Sequence, residues 1–296
     1  MVDFFFSLVC SPAAVAAVVL AMYYVFPSPL VQGYLRFGGY ILAGLQRKSI
    51  KTKNFHFGYY ERSPLPRNGN RDAATKPDAA GTTNSAHPTL LFLHGFTSNK
   101  ESWVRVVMGL PRQWRILVLD MPGHGESSFD PTQDYSPFGM AEKVDMFVEA
   151  VGLERFHLVG ESLGACISAS YGSTYPHKLD SLTLLCPPIT HRLSNGVATK
   201  YIKEFEVTGQ LSLLFPQCPD EFQQMIDVVL YNPSLFTFHY RMRQALLSLQ
   251  MEHYHHFDKI QKDLRKTQEG DREVRQLAKN ITMPLFILWG QHDRVR

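Results

Sequence analysis

Short apolar runs recur through the middle of the chain, separated by stretches in which apolar residues return every three or four positions. The runs are TLLFLHG (89–95), RILVLD (115–120), FHLVG (156–160) and LDSLTLLCP (179–187). Runs of this length, bounded by Gly, Pro or Asp, read as strands buried on both faces. Between them lie three helical patterns. KESWVRVVMGL (100–110) stops at Pro111, MAEKVDMFVEAVGL (140–153) stops after a glycine, and LGACISASYGSTYP stops at Pro176. An alternating segment, NFHFGYY (54–60), predicts one earlier strand. Strand and helix in regular alternation predict an α/β fold: a mostly parallel sheet with helices on both faces.

The rhythm breaks after 187. Residues 188–280 carry helical patterns, EFQQMIDVVLY and then FHYRMRQALLSLQMEHYHHFDKIQKDLRK, and little that reads as strand. The strand pattern returns at MPLFILWG (283–290). This predicts a core in two parts, 54–187 and 281–296, with a helical cap or lid over 188–280 at the carboxyl end of the sheet, where such folds bind ligands. Within the first part, 67–87 is polar, rich in Gly and Pro and nearly free of large apolar residues, which predicts a flexible insertion.

The N-terminus reads differently. Residues 4–26 contain no charge, and as a helix they would span about 34 Å. No positive region precedes them and no small-residue cleavage site follows, so the run predicts an uncleaved transmembrane anchor rather than a signal peptide. Arg36, Arg47, Lys48, Lys51 and Lys53 make 27–53 a basic juxtamembrane segment. By the positive-inside bias this predicts a single-pass membrane protein with its body in the cytosol. ILAGLQRKSI (41–50) reads as a short amphipathic helix along the surface.

Composition narrows the function. A net charge of +3 in 296 residues, with no basic stripe interleaved with aromatics, gives no footprint for nucleic acid. Cys10, Cys166, Cys186 and Cys218 are far apart and match no metal or redox spacing, so they read as free or buried thiols. His253, His255 and His256 lack a paired acid or cysteine at ligand spacing, and read as a solvated helix face rather than a metal site. No metal and no organic cofactor is expected.

The chemistry sits in GESLG (160–164), a Gly-x-Ser-x-Gly that follows a strand and opens a helix. Such a turn strains the serine backbone and lifts the hydroxyl above the sheet, while the flanking glycines let strand and helix pass closely. Ser162 is the candidate nucleophile; the alternative is a structural turn serine. The N–H of Leu163, at the start of the helix, can face a developing oxyanion. In LHGFTS (93–98) the N–H of Phe96 is the candidate second donor, with His94 positioning the loop. DMPGHGESS (120–128) ends another strand at the same edge, where Asp120 and His124 are expected to hold the turn. In LWGQHDRV (288–295) Asp293 follows a strand and a glycine turn, the place for a triad acid later in the chain than the nucleophile.

LHGFTS, DMPGHGESS, GESLG and WGQHD, in this order, resemble the alpha/beta-hydrolase superfamily. With the N-terminal apolar run, the FHLVG lead-in and the CPP after the fourth strand, the chain resembles the membrane-anchored monoacylglycerol lipases of the abhydrolase-domain-containing group. The resemblance implies Ser162 as nucleophile, Asp293 as acid, and Phe96 and Leu163 as oxyanion donors. It implies a catalytic histidine one strand beyond the acid, and only Arg294, Val295 and Arg296 follow Asp293. The expectation is that the last strand, the last helix and the histidine are missing, so that this chain is either a fragment or an inactive natural product. The implied activity of the complete protein is hydrolysis of monoacylglycerol to fatty acid and glycerol through an acyl-enzyme, with membrane lipid as the partner. Two other readings stay open: a catalytically inactive membrane-associated homologue that binds lipid or protein, and an esterase or thioesterase for a soluble ester.

Overall fold

The computed structural model describes residues 27–64, 87–188, 212–233, 239–266, 277 and 279–293. The predicted insertion at 67–87 lies almost entirely outside these residues. So do 189–211, the first part of the expected cap.

The apolar runs become a seven-stranded sheet. The chain passes through helix α1 (Pro27–Ile41), strands β1 (Gln46–Lys51), β2 (His56–Arg62) and β3 (Thr89–Leu93), then a short 3-10 turn (Lys100–Trp103) leading into α2 (Val104–Met108). It continues through β4 (Arg115–Leu119), α3 (Pro137–Ala150), β5 (Phe156–Glu161), α4 (Leu163–Thr174) and β6 (Leu179–Leu185). The cap contributes α5 (Pro219–Val229), α6 (Tyr240–Met251) and α7 (Tyr254–Lys266), and β7 (Leu285–Leu288) returns to the sheet. The strand order is β1-β2-β4-β3-β5-β6-β7. From β4 to β7 every pairing is parallel, while β2 is antiparallel to β4 and β1 to β2.

Local signals explain the boundaries. α3 starts at Pro137, three residues before its predicted start, because Ser136 caps it by accepting a hydrogen bond from the Gly139 N–H, and proline suits the first helical turn. It ends before Gly152, whose φ of +66° only glycine adopts readily. The core lies on both sides of the sheet. One side gathers Leu91, Leu93, Leu117, Phe147, Leu158 and Tyr171; the other gathers Tyr60, Phe92, Trp103, Val107 and Val118.

Three expectations are corrected. First, the transmembrane or signal anchor, and with it the single-pass topology and cytosol-facing body, is not supported: no helix among the described residues is long and apolar enough to cross a membrane. The 4–26 run on which it was placed lies outside the described residues. The N-terminal helix that is described, α1, has 15 residues, about 22 Å at 1.5 Å per residue, against a hydrocarbon core of about 30 Å. It packs on the cap instead, with Ser28 and Ser248 hydroxyls 2.7 Å apart. Second, 41–50 is no amphipathic helix. Gly44, at φ +67°, ends the α1 segment, and β1 follows as an edge strand paired to β2. Its basic residues serve ion pairs, Arg47 with Glu126 and Lys48 with Glu61. Third, the histidines at the start of α7 are not a solvated face. His255 is exposed, but His256 stacks on Phe129 with ring centroids 4.2 Å apart, and His253 lies 6.0 Å from Phe257.

α7 covers the loops after β4. Tyr135 donates its backbone N–H to the Asp263 carboxylate at 3.0 Å, Lys259 donates to the Gln133 carbonyl at 3.1 Å, and Ile260 presses against Gly123. The helical pattern through 238–266 is broken at 252–253 into α6 and α7, which lets α7 turn across the core.

Candidate active site

The carboxyl ends of β3, β5, β6 and β7 bring the candidate residues to one edge of the sheet. Ser162 stands between β5 and α4 with φ 51° and ψ −117°, a backbone conformation costly for any residue but glycine. Its N–H donates to the Leu185 carbonyl at 2.9 Å, which ties the turn to the end of β6. Its side chain makes no capping hydrogen bond, so the hydroxyl is not used up in closing its own helix.

The glycines on either side are needed for space. A Cβ on Gly160 would lie 2.3 Å from the Gly164 carbonyl oxygen and 2.4 Å from Ser168 Oγ. A Cβ on Gly164 would lie 2.4 and 2.5 Å from the carbonyl oxygens of Leu93 and His94. α4 therefore packs backbone to backbone against the end of β3 and points its first N–H groups, that of Leu163 among them, toward the turn.

The loop after β3 comes alongside. A Cβ on Gly95 would sit 3.5 Å from Ser162 Cβ, which places the neighbouring Phe96 beside the serine. The Phe96 ring is packed under the cap: Phe215 and Phe257 lie at centroid distances of 5.9 and 5.5 Å, both edge-on. Thr97, the next residue, has φ 58°, a second strained position within this loop.

His94 is fully buried, and both ring nitrogens are engaged. Nε2 accepts from the Met121 N–H at 3.0 Å, so Nδ1 carries the proton and donates to the Gly95 carbonyl at 2.8 Å. Burial lowers its pKa to about 4. A neutral ring held at both ends positions the loop and has no lone pair left to accept the serine proton. His124 is also fully buried. Its Nδ1 donates to the Pro122 carbonyl at 3.2 Å, and burial followed by the neighbouring His94 lowers its pKa well below the ordinary value. Its Nε2 has no partner among the described residues. Asp120 holds the same turn: its carboxylate accepts from the Glu126 N–H at 2.9 Å and crowds Gly125, which sits at φ +50°.

Asp293 lies in the turn after β7. Its N–H donates to the Gly290 carbonyl at 3.2 Å, and its Oδ2 accepts from Trp289 Nε1 at 2.8 Å. The Cys186 N–H donates to the Leu288 carbonyl at 2.9 Å, so the ends of β6 and β7 are joined as the ends of β5 and β6 are. Ser162 and Asp293 thus share an edge two strands apart. His292, next to the acid, stacks on Tyr231 of the cap with centroids 4.9 Å apart. Among the described residues, no group of three or more His, Cys, Asp or Glu side chains is arranged to hold a metal ion.

One residue of this edge escaped the sequence reading. Lys100 opens the segment that reads as a helix over 100–110, and its side chain is 1% exposed. Its only sequence signal is a cation seven residues after the end of a buried strand.

Comparison with known proteins bears on the fold. Residues 88–225 match the family described as the alpha/beta hydrolase fold. The chain is 26% identical over 280 residues to the human monoacylglycerol lipase ABHD6, covering 93% of this chain and 76% of that protein. It is 29% identical over 211 residues to monoacylglycerol lipase abhd6-A of Xenopus laevis, covering 70% of this chain and 62% of the relative. Among solved structures, a membrane phospholipase A described as a bacterial virulence factor superposes with a TM-score of 0.72 at 25% identity, over 100% of this chain and 84% of that one. The candidate lipase lip1 of Acinetobacter baumannii AYE gives 0.72 at 26% identity, over 89% and 80%. The chain therefore has the alpha/beta-hydrolase fold and is related to the ABHD6-type monoacylglycerol lipases.

Proposed function

We propose that Ser162 is the nucleophile of a lipid-ester hydrolase whose substrate is a monoacylglycerol. The observation that carries this reading is the Ser162 backbone at φ 51°, wedged between two glycines that have no room for a Cβ. Strained positions of this kind cluster at functional sites, and here the residue at the tip is polar and opens a helix.

In this reading Ser162 Oγ attacks the ester carbonyl carbon and gives its proton to a base. The N–H groups of Phe96 and Leu163 hold the oxyanion. The tetrahedral intermediate collapses, glycerol leaves with the proton, and the acyl group stays on Ser162. Water, deprotonated by the same base, then attacks the acyl-enzyme; the bond to Ser162 Oγ breaks, the base returns the proton to Oγ, and the fatty acid is released. Asp293 orients the base and stabilises its charged form. The resemblance assigns that base to a histidine beyond Asp293. His94, with both nitrogens committed, does not fill the role, and neither does His292, stacked on the cap. The apolar underside of the cap, Phe215, Tyr254 and Phe257, suits an acyl chain.

A non-catalytic lipid-binding role is the second reading. What favours it is the Asp293 Oδ2 engaged by the Trp289 indole N–H. Kinetics on the protein from the complete reading frame separate the two. Ser162→Ala is expected to lower monoacylglycerol hydrolysis by about 10³-fold or more. Hydrolysis unchanged by Ser162→Ala would reject the assignment, and rates independent of acyl-chain length would favour a soluble ester.

A further inference from the structure

The Phe96 loop is pinned on both sides to two successive residues of one neighbouring loop. On its N-terminal side, His94 Nε2 accepts from the Met121 N–H. On its C-terminal side, the Lys100 N–H donates to Asp120 Oδ1 at 2.7 Å, and the Lys100 ammonium donates to Asp120 Oδ2 at 2.6 Å. One carboxylate thus takes the backbone and the side chain of the same residue. Between the pins lie Phe96 and the strained Thr97, and the Ser98 N–H closes the turn on the Gly95 carbonyl at 3.3 Å.

The lysine is unusual in its burial and its company. Lys100 and Asp120 are 1% and 0% exposed, so water does not hydrate either charge. Two further carboxylates approach the ammonium, Glu126 at 3.3 Å and Glu101 at 3.6 Å, and the Tyr60 hydroxyl donates to Glu101 at 3.1 Å. Burial on its own would lower the Lys100 pKa, but Asp120 and Glu101 hold it above its ordinary value. Arg47 of β1 and Arg36 of α1 bond Glu126 from the outside, at 2.7 and 3.2 Å. Three cations and three carboxylates close into a balanced cluster. Such a cluster adds little net stability over an apolar one of the same volume, but it fixes geometry, because every partner has a directional requirement.

We infer that Lys100 is a positioning residue for the Phe96 amide: it locks the C-terminal end of the oxyanion loop onto Asp120, and the N-terminal segment braces that lock through Arg36, Arg47 and Glu126. The inference deepens the functional reading above and rests on it for the meaning of Phe96. An oxyanion donor works only when held where charge develops, so a loosened loop lowers turnover and leaves ground-state binding alone.

The test compares wild type, Lys100→Met and Glu126→Gln in the protein from the complete reading frame. Steady-state hydrolysis of p-nitrophenyl butyrate is measured beside amide hydrogen exchange of residues 95–100. Lys100→Met is expected to lower kcat by about 10- to 100-fold with KM within about twofold, and to speed exchange in this loop. Should Lys100→Met fail to fold, Glu126→Gln decides, since Glu126 is partly exposed; it is expected to lower kcat about threefold or more at constant KM, with faster loop exchange. Wild-type kcat and wild-type exchange in the folded variant would overturn the inference. If wild type itself does not turn over the ester, the functional reading fails. Exchange in residues 95–100 then still decides whether Lys100 locks the loop, and unchanged exchange overturns it.

Discussion

Two strands of nearly the same composition have opposite surroundings. β3, TLLFL, is sealed: Leu91 and Leu93 are 0% exposed, and β4 and β5 pair with it on either side. β7, LFIL, is open: all four residues are exposed, Phe286 at 59%, and among the described residues β6 alone pairs with it. The loop after β3 carries Phe96 and touches Ser162; the loop after β7 carries Asp293. The nucleophile and oxyanion side of the edge therefore rests on close packing, and the acid side rests on an edge strand that nothing among the described residues covers. Rigidity of a site is inherited from the strands beneath it, so the two sides should respond differently to the same insult.

The sharpest break is expected at the elbow. Gly164→Ala drives a Cβ into the carbonyl oxygens of Leu93 and His94, backbone atoms that cannot swing aside. A loss of about 3 kcal/mol or more is expected, read from urea unfolding. A variant as stable as wild type would mean that α4 does not press on β3 as described.

The next effect compares the strands themselves. Leu91→Ala is expected to cost about 2–5 kcal/mol, and Ile287→Ala less than about 1 kcal/mol, since the latter side chain is already half in water. Chemical denaturation of both variants in one buffer gives the difference. Equal losses would show that β7 is buried in solution by something that the described residues do not contain.

A smaller, graded effect is expected from pH. His94 is neutral in the fold, with a pKa lowered to about 4 by burial, against about 6.5 when unfolded. His124, His253 and His256 are lowered too, each by burial first. Between these values the unfolded chain binds more protons than the folded one, so stability rises with pH there. The contribution is complete above about pH 6.5 and is lost as pH falls toward 4. For the fully buried His94 it is on the order of 3 kcal/mol. Tm measured from pH 7.5 to 4.5 should be level to about pH 6.5 and then fall; a level Tm down to pH 4.5 contradicts the neutral assignment.

How the chain announces this contrast depends on the signal. The core strands, α4 and the elbow were legible because each is fixed by residues close in sequence: an apolar run, a glycine whose φ or spacing is required, a proline or serine at a helix start. Ser136 and Pro137 moved the start of α3 by three residues, a boundary shift that the capping pair could have supplied. β1 was not legible, because QRKSIK is polar at most positions and becomes a strand only through its pairing with β2 and its charges' partners across the fold. The same limit hid the histidines of α7, which meet Phe129 only after the cap has folded over the core. It hid Lys100 as well, since the carboxylates that bury this lysine, Asp120 and Glu126, come from a loop distant in sequence. Nor could the run LFIL reveal its own exposure: hydrophobicity records what a strand prefers, and neighbours decide what it receives.

The central claim is that the strained turn presents an activated serine to an ester carbonyl. It is tested most directly by treating the protein from the complete reading frame with a fluorophosphonate and locating the adduct by peptide mass spectrometry. The account predicts a single phosphonylated serine, Ser162, with no adduct in Ser162→Ala. An unmodified Ser162, under conditions that fully label a control serine hydrolase, would contradict it.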